Sequence, residues 1–498
     1  MRDSKLFKNS TFSVLQTIAM AMAALLLFKM MVLQEGLKIT GLWSFLSSIT
    51  TVTGFGSFGF ANSLLFYIPK YQMEHNESKV FALVNTSLLS VLGCTIILCG
   101  LSLIIFSFIL PHIIEKDQLE TANRLLPLVI VSLFFSALST TYLSVLDGLM
   151  LMHIRAKINI IGSAIFLVSG FVLLRQFGII GIPIAQLIQN IFLLITPYFF
   201  VKKRLPGYHF LFSFDTTVFK DIFKYGFNFQ LISLTQIVSE PFMKAMITKF
   251  GGSHITAIFD FCVKLLSVFR SLIISANQTI VPQLTIFKTQ GKIDRIATYY
   301  KANFTIVSFF SLIFFLAPVA LTDALSMMFL NETNSNFDFI LLQVSLGLLT
   351  NAIAFPAYFH YLGTGQLKWN VLNNTITALL IFISSPVVGI LVGGKYMVMC
   401  WSLSAMTGSI LLIAAFSKEY NISGAGFFNK SILQVLVALL LAVFINKFIN
   451  SFEVFNRSVL LMFTCNAVVL CLLLLYPVWK MPLVQKARSK MNLNKRSS

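Results

Sequence analysis

The chain has 498 residues, of which 57% are hydrophobic and only 11% charged, and its mean hydropathy is +0.84. A soluble protein of ordinary composition carries about a quarter charged residues, so a water-soluble globular fold is excluded and an integral membrane protein is expected. The net charge of +19 would suit a nucleic-acid partner, but its placement along the chain assigns it to membrane orientation instead.

A helix crosses ~30 Å of hydrocarbon with about 20 apolar residues. Fourteen runs approach that length: 11–33, 41–68, 80–110, 125–152, 158–175, 178–201, 222–248, 255–283, 302–322, 338–362, 370–391, 396–416, 431–449 and 458–479. They are continuously apolar rather than alternating, which excludes a β-barrel. The expectation is an all-α integral membrane protein with about 14 transmembrane helices, within a range of 12–14. With the N-terminus inside, 25 of the 37 Lys and Arg residues fall on the cytoplasmic side and eight outside. That bias predicts cytoplasmic termini. The basic run 486–496 then reads as an anchor on anionic membrane lipid, with no nucleic-acid partner. No loop exceeds about 25 residues, so no soluble catalytic domain is expected.

The chain also echoes itself. Phe7-Lys8 returns as Phe223-Lys224, and Ile39-Thr40 as Ile255-Thr256, both at an offset of 216 residues. Ile68-Pro69 returns as Val281-Pro282 with a drift of about three. An even number of runs precedes the second copy, so the repeats are parallel. The expected organisation is a six-helix lobe at 1–205, a second at 206–418, and a helix pair with a basic tail at 419–498.

Four cations, Lys29, Lys244, Lys264 and Arg270, fall inside the apolar runs. An ionised side chain at mid-bilayer costs roughly 3 kcal/mol or more, so it must pair, line water or meet a ligand. Ser233, Gln236, Glu240 and Lys244 share one helical face, and so do Asp260, Lys264, Ser267, Ser271, Ser275 and Gln278. These two faces read as the wall of a transport cavity, with Pro241 kinking the first beside its charges. Glu240/Lys244 and Asp260/Lys264 are also i, i+4 pairs in the favourable order, and such pairs can simply neutralise themselves. Arg270 has no local acid, and its planar fork suits phosphate oxygens. Lys29 lies near the end of its run, where snorkelling to the interface competes with a cavity role. Asp147, before Gly148, reads either as an ion-coupling carboxylate or as the cap of a local turn.

Other motifs carry less. The string from Gly54 through Gly56 to Gly59 matches a dinucleotide fingerprint, but it lacks the strand and the soluble βαβ unit that the fingerprint needs. Close helix packing explains it better. None of the six cysteines or six histidines has metal-site spacing.

The run 41–49 (GLWSFLSSI) followed by 56–63 (GSFGFANS) resembles the second helix of Wzx-type polysaccharide flippases. The run 224–227 (KYGF), then 249–251 (KFG), 258–260 (IFD) and 281–283 (VPQ), resembles the start of their second lobe. These flippases belong to the MOP exporter superfamily with the multidrug (MATE) antiporters. The resemblance implies two six-helix lobes in a bacterial inner membrane, and a cationic cavity lined chiefly by helices one, two, seven and eight. It implies a flippase for an undecaprenyl-pyrophosphate-linked oligosaccharide such as an O-antigen unit, working by alternating access. Lys264 and Arg270, with Lys244 and Lys29 behind them, are then the phosphate-contacting candidates. Glu240, Asp260 and Asp147 are the candidates for coupling to a proton or sodium ion, and no cofactor is expected. Partners are the lipid-linked substrate, membrane lipid and other polysaccharide-assembly membrane proteins. The competing readings are a MATE-like drug or cation antiporter, whose site should be net acidic, and a membrane O-antigen polymerase, which generally needs a larger external loop.

Overall fold

The computed structural model describes residues 2–49, 60–278, 293–364, 366, 368–420, 430–452 and 458–479. Among them every regular element is helical, and the all-α reading holds there. In chain order the helices are α1 (Arg2–Ser48), α2 (Phe60–Met73), α3 (Glu77–Ile113), α4 (Leu119–Gly148), α5 (Met152–Phe177), α6 (Gly181–Arg204) and α7 (Thr216–Gln278). There follow α8 (Ile293–Ala320), α9 (Thr322–Leu330), α10 (Ser335–Ile353), α11 (Phe355–Thr364), α12 (Lys368–Leu391), α13 (Met397–Glu419), α14 (Lys430–Asn450) and α15 (Val459–Trp479).

The expected count of about 14 transmembrane helices is corrected by the structure. Among the described residues, 10 helical stretches are long and apolar enough to cross a membrane. The runs 158–175 and 178–201 fall in one such stretch, Met152–Arg204, which turns through a short 3-10 segment at Gly178–Ile180. Of the run 41–68, residues 41–48 fall in the stretch Leu15–Ser48 and 60–68 in α2, while 50–59 lie outside the described residues. The runs 222–248 and 255–283 belong to α7, whose ionisable residues set it apart from the apolar stretches. An apolar run read by eye tolerates a charge or a break that helix length and hydropathy do not. The glycine string at 54–59 and the basic run 486–496 lie outside the described residues.

The chain forms two compact units, one of residues 1–264 with 382–397, the other of 265–381 with 398–498. In the first, α1 packs on α5, α5 on α6, α6 on α4, and α4 on both α2 and α3. Small residues permit the contacts: a Cβ at Gly162 would meet Leu193, one at Gly170 would meet Leu27, and one at Gly148 would meet the Leu64 carbonyl. Asn190 of α6 donates to the Ser132 carbonyl of α4 at 3.0 Å, and Ser132 donates back to the Pro183 carbonyl at 3.3 Å. The core around Leu64, Leu83, Val145 and Tyr208 is sealed from solvent. In the second unit α8 packs on α10 and α14, and α14 on α15. An aromatic stack of Tyr300, Phe416 and Tyr420 closes one part of it, with ring centroids 3.9 and 4.6 Å apart.

Two glycines break the helical path in the same way. Gly36 in α1 has φ 79, ψ 168, and Gly252 in α7 has φ 81, ψ 163. Glycine reaches this region without the steric penalty of a Cβ. The two positions are 216 residues apart, the offset of the sequence echoes. Thr40 donates to the Gly36 carbonyl at 2.8 Å, and Thr256 to the Gly252 carbonyl at 3.4 Å, so the Ile-Thr echo marks the residues that bond across the break. The two segments meet where Gly41 crosses Ser253, leaving no room for a Cβ.

Candidate functional site

α7 carries Glu240, Lys244, Asp260, Lys264 and Arg270. Lys244 and Asp260 are 16 residues apart, which on a continuous helix would separate them by roughly 24 Å at 1.5 Å per residue. Their Nζ and Oδ1 atoms are instead 2.7 Å apart. The chain therefore folds back at Gly252, and residues equidistant from the glycine face each other. Thr248 and Thr256, each four residues from it, share a hydrogen bond at 2.8 Å. Lys244 and Asp260 are the next rung, eight residues out.

The ion pairs extend along this hairpin. Lys244 also meets Glu240 at 2.9 Å, and Asp260 also meets Lys264 at 2.6 Å. Glu240, Lys244, Asp260 and Lys264 thus form one chain of alternating sign. Its middle is sealed: Lys244 is 3% exposed and Asp260 1%. Its ends are open, with side-chain exposures of 46% for Glu240 and 37% for Lys264. Desolvating two ions costs several kcal/mol each, and only close pairing offsets it. The cross-hairpin pair meets that condition because each of its buried charges has two partners of opposite sign.

In the second unit, Arg270 is half-buried. Its Nε donates to Asn351 Oδ1 at 3.3 Å, and its guanidinium lies 5.6 Å from the centre of the Phe355 ring. Among the described residues no carboxylate lies within ion-pair distance of it. An amide oxygen and a ring face hold the fork in place, and neither carries a countercharge. Beyond it, Ser271 donates to the Ser267 carbonyl at 2.8 Å and Ser275 to the Ser271 carbonyl at 3.0 Å. Ser271 and Ser275 thus satisfy their hydroxyls on their own helix.

Lys29 is half-buried in α1 with no acid partner among the described residues. Asp147 is buried and paired with Arg155 across the turn between α4 and α5. Ser233, Gln236 and Gln278 lie on helical backbone, their side chains outside the described set. The structure thus brings Glu240, Lys244, Asp260 and Lys264 together, and holds Asp147 in a separate pair. Sequence reasoning missed Asn351 and Phe355 at Arg270, and Arg155 at Asp147. It also missed the Lys244–Asp260 rung, for which equal spacing about Gly252 was the available signal.

Comparison with known proteins places this arrangement in a class. The fold matches a lipid II flippase, MurJ, in an inward closed conformation: TM-score 0.71, 16% identity, 95% of this chain and 98% of that one. It also matches an inward-facing multidrug resistance MATE family transporter of the MOP superfamily, with TM-score 0.65, 13% identity and coverages of 83% and 94%. A third match is a MOP superfamily transporter from Pyrococcus furiosus described as having reversed binding-pocket polarity, at TM-score 0.54, 12% identity, 84% and 95%. The fold is therefore that of MOP superfamily transporters, on a multi-pass membrane protein. The polysaccharide biosynthesis protein family matches residues 6–290, and the chain belongs to that family. No match was found among curated proteins.

Proposed function

We propose that the chain is a flippase that carries an undecaprenyl-pyrophosphate-linked oligosaccharide, an O-antigen or related surface-polysaccharide unit, across the bacterial inner membrane by alternating access. Both termini are cytoplasmic in this reading, and the working parts are the lobes 1–205 and 206–418 with the helix pair and tail at 419–498. The observation that carries the proposal is Arg270. A guanidinium pinned by Asn351 and Phe355, with no carboxylate beside it among the described residues, is prepared for an anion that arrives from outside the protein.

Sugar hydroxyls and a pyrophosphate cannot cross ~30 Å of hydrocarbon unaided, because each unpaired polar group costs kilocalories there. A hydrated passage with a fixed guanidinium offsets that cost for the head group, while the polyprenyl tail stays in lipid. Lys264 is the second proposed phosphate contact, since its ammonium pairs with Asp260 at the open end of the ion chain and is partly exposed. Lys29 is a further cation of the passage. Lys244 acts by holding the hairpin, its charge matched by two carboxylates. Glu240, the exposed acid of the chain, is the proposed site of proton or sodium coupling, with Asp260 behind it. A cation antiporter would need surplus negative charge, whereas among the described residues the ion chain of the hairpin is balanced and no carboxylate pairs with Arg270.

The test is surface polysaccharide in cells carrying Lys264→Gln and Arg270→Gln, singly and together. Loss of surface glycan with normal membrane levels of protein is expected. Normal glycan with both cations removed refutes the assignment, and changed drug tolerance with intact glycan favours the antiporter reading.

A further inference from the structure

In the second unit, α8, α10 and α14 line a half-open cavity of about 550 Å³. Leu316 and Val319 of α8, Leu342 of α10, and Leu439, Leu440 and Val443 of α14 form its apolar walls. Its charged groups lie together. Asp338 occupies the first turn of α10 and Lys447 the last turn of α14, where each helix dipole favours that sign. Lys447 Nζ stands 3.2 Å from Asp338 Oδ2, and Thr322 donates to Asp338 Oδ1 at 3.0 Å. Ser335 lies on the same rim. Helices that cross a membrane end at its polar interface, so the cavity is charged at head-group level and apolar toward the hydrocarbon.

The ion pair is not needed to dock α14. Asn446 already donates to the Ala320 carbonyl at 2.8 Å, and Asn450 to Asp323 Oδ2 at 2.8 Å. The pair itself is open, with side-chain exposures of 55% for Lys447 and 27% for Asp338. An ammonium has three donors and a carboxylate about four lone-pair sites, so each group keeps capacity beyond the contacts described. One base and one acid side by side complement a zwitterion, and apolar walls below them complement a hydrocarbon chain. The volume lies in the range of small-molecule sites, roughly 300–1,000 Å³.

We propose that this cavity binds a zwitterionic, amine-bearing glycerophospholipid, with its phosphate on Lys447, its ammonium on Asp338 and an acyl chain along Leu342, Leu440 and Val443. The site is independent of Arg270 and of the transported substrate. To test it, the full chain is purified in detergent with equimolar phosphatidylethanolamine and phosphatidylglycerol, and retained lipid is read by native mass spectrometry. Preferential retention of phosphatidylethanolamine is expected. Lys447→Gln and Asp338→Asn each lower it by about tenfold, the effect of losing one charge-assisted contact. Val443→Trp, which fills the cavity and leaves the pair intact, removes the preference and also the rise in Tm that phosphatidylethanolamine gives the parent protein. Equal retention of the two lipids by the parent, or unchanged preference in Val443→Trp, overturns the proposal. Should Val443→Trp fail to fold, Leu440→Trp gives the same readout.

Discussion

The segments around Gly36 and Gly252 share one backbone device and differ in what they carry. Both breaks have nearly the same φ and ψ, and in both a threonine four residues on bonds back to the glycine carbonyl. Eight residues to either side of Gly36 stand Phe28 and Ser44; the same places around Gly252 hold Lys244 and Asp260. Twelve residues out, Ala24 and Ser48 correspond to Glu240 and Lys264. The first segment keeps its geometry with a ring and hydroxyls, and Phe28 packs on Phe261 of the second at 4.7 Å between centroids. The ion chain is therefore an addition to the device and not a requirement of it.

Breaking the ion chain on one side should have the largest effect. Asp260→Ser leaves Lys244 buried beside Glu240 alone, and removing one partner of a buried pair costs about 3–5 kcal/mol. Thermal unfolding of the purified protein reads this directly. The double variant Lys244→Phe with Asp260→Ser imports the residues of the first segment, and it should be markedly more stable than Asp260→Ser alone. If the double variant is the less stable, the ions belong to the fold of this hairpin after all. Next in size, Gly252→Ala places a side chain at positive φ, at a cost of about 1–3 kcal/mol. Its Cβ would also meet His254 and Glu115, whereas one at Gly36 meets nothing within 4 Å, so Gly36→Ala should be the milder change in the same unfolding assay.

The smallest predicted effect concerns the start of α7. Asp215 accepts from the backbone N–H groups of Thr217 at 2.8 Å and Val218 at 3.1 Å, which caps the helix. Asp215→Ala should cost about 1 kcal/mol. Those N–H groups hold its carboxyl below the ordinary carboxylate value. Its contribution is thus complete above the unfolded value near 3.9 and is lost as pH falls through the lower folded one. Stability of the parent and of Asp215→Ala should converge in acid, and a constant gap from neutral pH downward would contradict the capping role.

The membrane class, the helical secondary structure and the i, i+4 pairs Glu240/Lys244 and Asp260/Lys264 were legible in the sequence, because composition and helical spacing act locally. The 216-residue offset was legible too, and Gly36 and Gly252 supply its physical basis. The number of crossing helices was not. Hydropathy does not register a 3-10 turn such as Gly178–Ile180. Pairing of Lys244 with Asp260 depends on the chain reversing at Gly252, a backbone event that an i, i+4 rule cannot see. Asn351 and Phe355 lie far from Arg270 along the chain and carry no charge to announce them.

The most direct test of the account is transport by the purified chain in proteoliposomes holding a labelled undecaprenyl-pyrophosphate-linked oligosaccharide. The parent protein should move the label across the bilayer. Arg270→Gln should slow it by roughly ten- to a hundredfold, the worth of a charged hydrogen bond to phosphate, with Arg270→Lys in between. Equal rates for parent and Arg270→Gln, or no movement of the lipid-linked sugar by the parent, would contradict it.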